Sequence, residues 1–334
     1  MPENPRQMAI YPKRVPHPGP QETTMKILIT EFMDEAAVAS LAKTFETHHD
    51  ATLVDRRAEL LEKLKDVDAL IVRNRTQVNA EILAAAPQLK VVGRLGVGLD
   101  NIDMPACRAR QIAVIPATGA NALAVAEYVI ATAMVLLRGA YFSSAAVGAG
   151  QWPRTPLSNG REIGGKVLGI VGFGDIGRLV ARLAQGLGMH VVASDPMIDA
   201  AAAVWKETGV RFRTLDTLLA ESDVISLHVP LVAETRNLIN TARLAMMKTD
   251  AVLINSARGG IVDEVALSAA LRAKKLGGAA LDVFDDEPLK AGSTLADCPN
   301  LLLTPHIAGV SAEANIRVSS MIAERVAAHL SSLR

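Results

Sequence analysis

Residues 166–178 read KVLGIVGFGDIGR. The apolar run 167–171 leads directly into glycines at 172, 174 and 177, and a helical pattern opens at Ile176. Gly172 suits a tight turn, Gly174 lets the backbone approach a pyrophosphate, and Gly177 lets the helix pack close to the strand. The amides at the helix start would face the anion. Three glycines at this spacing occur often by chance. Their place between an apolar strand and a helix is what gives them weight.

Eighteen residues beyond Gly177, the run MHVVASD ends at Asp195. An acid there hydrogen-bonds the adenosine ribose hydroxyls and repels a 2′-phosphate. Pro196 follows, and no arginine sits immediately after to hold that phosphate, so NAD is the expected cofactor. Further apolar strands follow in SDVISLHVP, DAVLINSA, GGAALDV and LLLTPH. Upstream, KILIT, DALIVR, LKVVGRLG and IAVIPA alternate with the helical patterns AAVASLAKTFE (with Asp34 as N-cap), NAEILAAA and MPACRAR. Strands separated by helices imply parallel sheets with helices on both faces. The expected architecture is α/β, with two doubly wound parallel-sheet units at about 25–120 and 121–308. One long helix is expected over 121–148 and a terminal helix over 311–330. By connection length alone the terminal helix could belong to either unit.

Composition agrees. The 334 residues suggest about two domains, and 50% apolar with only 3% aromatic residues means an aliphatic core. Lys plus Arg and Asp plus Glu are 35 each, which argues against nucleic acid or an acidic membrane surface as the main partner. Cys107 and Cys298 exclude a disulfide scaffold and fit a reducing cytoplasm. The most apolar stretch, 122–137, is interrupted by Glu127 and is too short to span a bilayer comfortably, so it reads as a buried helix. Residues 1–24 hold six of the 16 prolines and are expected to be a flexible extension, with neither a secretory nor a transit signal.

Three polar motifs stand at strand ends: NSARGG at 255–260, DDEP at 285–288 and TPHIAG at 304–309. In open α/β sheets ligands sit beyond the carboxyl ends of the strands, so Arg258, Glu287 and His306 could converge there. Their chemistry is complementary. A histidine can give a proton to a carbonyl oxygen near neutral pH. A carboxylate on its other ring nitrogen would orient it and favour imidazolium. An arginine can fork onto a substrate carboxylate. No metal-ligand spacing is visible, and no metal is expected.

The chain resembles the D-isomer-specific 2-hydroxyacid dehydrogenases, in the phosphoglycerate dehydrogenase branch. The resemblance rests on VGRLGVGLDNID (92–103), NALAVAEYV (121–129), GKVLGIVGFGDIGR (165–178), INSARGGIVDE (254–264), GGAALDVFDDEP (277–288) and TPHIAG (304–309). It implies Arg258, Glu287 and His306 as the catalytic set. It implies NAD contacts at Asp175, Ile176, Asp195, Val229, Ser256, Ala257, Asp282, Ala308 and Gly309, beside Arg258, His306 and the three glycines. It implies substrate loops at Arg73–Asn74 and Val97–Gly98. It also implies a Rossmann NAD-binding domain over 123–308 and a flavodoxin-like substrate domain made of 25–122 and 309–334, without an added amino-acid-sensing domain.

The expected reaction is hydride transfer between nicotinamide and a small 2-hydroxy acid. A second anionic group on the substrate, as in 3-phosphoglycerate or 3-sulfolactate, is expected because Arg73 and Arg75 share a side of one loop and should be free to receive it. Rival readings are a glyoxylate or hydroxypyruvate reductase and a non-catalytic NAD-sensing regulator related to corepressors. A formate dehydrogenase would not need the His–Glu pair. A homodimer is expected through 121–152, with Trp152 either packing in that interface or forming a wall of the partner's pocket.

Overall fold

The computed structural model describes residues 24–333, so the expectation for the proline-rich tail lies outside the described residues. The first sheet is built from β1 (Lys26–Ile29), β2 (Glu46–His49), β3 (Ala69–Val72), β4 (Val91–Arg94) and β5 (Ala113–Pro116), all parallel, in the order β2-β1-β3-β4-β5. This is the flavodoxin-like order. Its central strand ALIV is buried throughout, as expected for a parallel sheet covered on both faces.

The second sheet comprises β6 (Val167–Val171), β7 (His190–Ser194), β8 (Arg211–Phe212), β9 (Val224–Leu227), β10 (Val252–Asn255), β11 (Gly278–Leu281) and β12 (Leu301–Leu303). Its order is β12-β11-β10-β9-β6-β7-β8, again all parallel. Counted from β6, this is the doubly wound dinucleotide-binding order extended by one strand. The order reverses between β6 and β9, so the crevice at the glycine turn is where a ligand belongs.

Three expectations need correction. The helix begun at Asp34 does not run to Glu46. It spans Glu35–Ala42, with Asp34 accepting from the Ala36 amide at 3.1 Å, and the polar stretch ETHH becomes edge strand β2. The two-residue edge strand β8 was also missed. The helix expected over 121–148 breaks at Gly139, whose φ of +66° places it in the left-handed region. The result is a helix at Ala122–Arg138, a short 3-10 turn and a helix at Ser144–Gly148.

The Ala122–Arg138 helix packs on the second sheet, its Ala126, Val129 and Ala133 joining Ile170, Val180 and Ile254 in one core. Among the described residues no single helix is long and apolar enough to cross a membrane. The terminal helix Ala312–Ser331, capped by Ser311, packs instead on the first sheet through Val318, Ile322 and Val326. The chain therefore passes between the two units twice. The two crossings touch, because Gly309 lies directly against the Asn121 side chain.

Candidate active site

The glycine turn leaves β6 with Gly172 at φ +93°, where a Cβ would stand 2.5 Å from the His228 carbonyl oxygen. The helix Asp175–Gly186 starts at once. Space above Gly174 is open, with no atom within 4 Å of where a Cβ would stand. Asp195 follows the end of β7. One carboxylate oxygen accepts from the Phe173 amide at 2.8 Å and the other from the Met197 amide at 2.9 Å, so the acid is fixed against the turn. Beyond β10, the Ser256 hydroxyl is buried without a partner among the described residues. An open turn at a helix start, a fixed acid and an unmet buried hydroxyl fit a dinucleotide. Ile176, Val229 and Ala257 are partly exposed around this crevice, and Asp175 is exposed.

Asn255, at the end of β10, is buried and shapes the next loop. Its Oδ1 accepts from the Ala257 amide at 3.1 Å, and its Nδ2 donates to the Arg258 carbonyl at 2.9 Å. Arg258 crosses to the other unit, where Nε donates to Asp100 at 3.1 Å and Nη2 lies over Gly98 with no room for a Cβ. His306 and Glu287 meet as expected, with Nδ1 and Oε2 at 2.7 Å. The other glutamate oxygen accepts from the Phe284 amide at 3.1 Å. His306 Nε2 makes no hydrogen bond among the described residues. The pair lines a cleft of about 760 Å³ with Asn74 and Arg75 on its wall.

Asp282 does more than the resemblance implied. It is 1% exposed and accepts from Thr304 Oγ1 at 2.6 Å, Ile307 N at 2.8 Å and Ala308 N at 2.7 Å, which holds the loop carrying His306. Gly309 lies one step further, at the crossing.

The substrate loop departs from expectation, because Arg73 and Arg75 are not free. Arg75 forks onto Asp55, with Nη1 to Oδ2 at 3.2 Å and a still closer contact from Nη2. Arg73 donates to Asn315 Oδ1 at 3.0 Å and lies 5.8 Å from the Phe32 ring centre. Extended loop geometry allowed a shared side but said nothing of partners distant in sequence. The loop is held by Glu31, 4% exposed, which accepts from the amides of Arg73, Arg75 and Thr76 at 2.9, 3.0 and 2.9 Å. Asn101 adds a bond to the Thr76 carbonyl at 2.8 Å.

The residue the sequence reading passed over is Arg94, the last residue of β4. Its Nη1 donates to the Leu95 carbonyl at 2.9 Å, while Nε is buried without a partner among the described residues. Its guanidinium lies over Gly96, as that of Arg258 lies over Gly98. Burial first, then the nearby Arg258 and Arg73 charges, bring its pKa down to about 10, so it stays a cation at neutral pH. Its position at a strand end was the available signal.

Comparison with known proteins places this geometry. The family model for the D-isomer specific 2-hydroxyacid dehydrogenase NAD binding domain matches residues 130–308. An (S)-sulfolactate dehydrogenase of Chromohalobacter salexigens is 56% identical over 300 residues, covering 90% of this chain and 96% of that one. A D-3-phosphoglycerate dehydrogenase of Archaeoglobus fulgidus is 39% identical over 302 residues, 90% of this chain but only 56% of its own length. Among solved structures, D-lactate dehydrogenase from Aquifex aeolicus complexed with NAD and lactic acid matches with a TM-score of 0.75 and 30% identity, over 92% of this chain and 96% of that one. The apo-structure of D-lactate dehydrogenase from Escherichia coli matches with a TM-score of 0.78 and 27% identity, covering 92% and 98%. Fold, site and relatives converge, and the chain belongs to the NAD-dependent D-isomer-specific 2-hydroxyacid dehydrogenases.

Proposed function

We propose that this enzyme interconverts (S)-3-sulfolactate and its 2-oxo acid, 3-sulfopyruvate. The observation that carries the reading is the pair of guanidiniums over Gly96 and Gly98. Gly96 and Gly98 stand two residues apart on one bent loop after β4. That spacing suits a short dianion with a carboxylate at one end and a second acid group at the other. Arg258 takes the carboxylate, with the amides of the Val97–Gly98 loop, and Arg94 takes the sulfonate, with Arg73 beside it. Arg75 and Asn74 form the outer wall. The relative at 56% identity over nearly its whole length supports sulfonate over phosphate.

The stereochemistry agrees with a D-specific family. In D-lactate the carboxylate outranks the methyl group and the centre is R. Sulfur raises CH2SO3⁻ above the carboxylate, so the same spatial arrangement is named S.

Held at the glycine turn, Asp195 and Ser256, NADH would supply the hydride in the reducing direction. Arg258 orients the 2-oxo acid and polarises its carbonyl. His306 gives its Nε2 proton to the oxygen as negative charge develops there, and Glu287 holds the ring and stabilises its charged form. In oxidation His306 takes the hydroxyl proton. Asp195 favours NAD by opposing a 2′-phosphate.

The same reading assigns 25–122 with 309–334 to the substrate domain and 123–308 to the NAD domain, because the terminal helix shares a core with the first sheet. It places the enzyme in the cytoplasm, without nucleic-acid or membrane partners, as a homodimer through 121–152. Tyr141, Phe142, Val147 and Trp152 are exposed there, Trp152 by 79%. A monomer in sedimentation at micromolar concentration would remove the dimer. The substrate assignment is tested by a panel of 2-oxo acids with NADH.

A further inference from the structure

The carboxylate of Asp282 is buried and has no ion pair among the described residues. It can only accept hydrogen bonds. Thr304 must therefore donate its single hydroxyl proton to it across 2.6 Å. The Thr304 oxygen also lies 2.7 Å from the hydroxyl of Tyr128, and with its own proton committed it accepts there, so Tyr128 donates. The result is a directed chain from Tyr128 O–H to Thr304 O–H to the Asp282 carboxylate. The other donors to that carboxylate are the amides of Ile307 and Ala308, immediately after His306. His306 itself has φ +57°. A non-glycine residue in that region costs about 1–3 kcal/mol and persists only where its surroundings fix it. The clamp on Asp282 is that surrounding.

Tyr128 lies two turns into the Ala122–Arg138 helix, which starts beside the crossing at Gly309. It stands on a different element from every catalytic residue. We propose that Tyr128 is a positioning residue for the catalytic histidine: its hydroxyl commits the Thr304 proton to Asp282 and thereby fixes the loop that presents His306. This rests on the dehydrogenase reading of the site and goes beyond it. Without Tyr128 as donor, the Thr304 rotor is free to turn its proton elsewhere, and one of three donors to Asp282 is no longer assured.

The test is a double-mutant cycle in the full-length enzyme with Y128F, T304V, Y128F/T304V and T304S. The phenylalanine keeps the ring and removes only the hydroxyl. Reduction is followed with NADH and whichever 2-oxo acid the parent reduces fastest. Y128F should lower kcat about three- to tenfold, with KM for NADH within about twofold. T304V should lose at least as much, T304S should stay near the parent, and the double variant should be no worse than T304V. Parental kcat in Y128F overturns the proposal. So does a double variant whose loss is the product of the two single losses, or a T304S no better than T304V. A fall in melting temperature with unchanged kcat also overturns it. The parent's choice of 2-oxo acid tests the substrate reading separately, because the variant ratios do not depend on which acid is used.

Discussion

Replacing Arg94 with methionine separates a functional cation from a structural one. The guanidinium is held down to about 10 by burial and by Arg258 and Arg73, which amounts to roughly 3 kcal/mol of unfavourable charging in the folded protein. Below pH 10 that cost weighs against the folded state. Methionine fills similar volume without charge, so R94M should match or exceed the parent in melting temperature. On the proposed reading, a bound sulfonate relieves the cost. Losing one charge-assisted contact costs about 1.5–3 kcal/mol, or roughly ten- to a hundredfold. We expect R94M to lose that much in kcat/KM for 3-sulfopyruvate and to stay within about threefold for pyruvate or glyoxylate, which have no second anion. R75A is the comparison. Its guanidinium is paired with Asp55 at the surface, and exposed pairs contribute little, so its effect should stay within about twofold. An R94M enzyme that is destabilised and weakened equally on all substrates would refute the reasoning. A large selective loss in R75A with none in R94M would move the distal anion to the outer wall.

Three further outcomes follow from the geometry. E287Q leaves an amide where two oxygens now accept, from His306 Nδ1 at 2.7 Å and from the Phe284 amide at 3.1 Å, so kcat should fall by about tenfold or more, and an unchanged kcat would break the pairing. D195S should raise kcat/KM with NADPH relative to NADH at least about tenfold, because the carboxylate no longer opposes the second phosphate; an unchanged ratio would remove Asp195 from the ribose site. His228, hydrogen-bonded to Ser226 at 2.9 Å, is brought by burial to about 4. Between that value and the ordinary 6.5 the unfolded chain binds a proton the folded one does not, so stability should fall by about 1–2 kcal/mol as pH drops from 6.5 to 5; a flat denaturation midpoint over that interval, or the same slope in H228N, would contradict it.

The central strands were legible because parallel strands covered on both faces must be apolar, and ALIV, VLGIV and VLIN read so. Edge strands escape that rule. Half of ETHH faces solvent, and only its Glu46 falls within the helical pattern expected over 36–46. The break at Gly139 was hidden because apolar residues continue across it in FSSAAVG. At the site, the meeting of Glu287 and His306 was readable from their places at strand ends. Arg94 obeys the same rule, at the end of β4, but a lone arginine closing an apolar strand carries no motif of its own. Glu31 could not be found that way, because it acts by receiving amides 42 to 45 residues distant. The same limit explains Arg73 and Arg75. A loop shows which side chains share a side, and only the fold shows that Asn315 and Asp55 reach them first. Asp282 was assigned to the cofactor by resemblance, while its three internal donors appear only in three dimensions.

On the proposed reading, two cations that lie over one loop, Arg94 from β4 and Arg258 from beyond β10, select a short substrate with two anionic groups. The most direct test is kcat/KM with NADH for 3-sulfopyruvate, 3-phosphohydroxypyruvate, hydroxypyruvate, glyoxylate and pyruvate, measured side by side. 3-Sulfopyruvate should lead, with the two substrates that carry a second anionic group above the three monoanions by roughly tenfold or more, the worth of one charge-assisted contact. A profile led by glyoxylate or hydroxypyruvate, or one flat across the five, would contradict it.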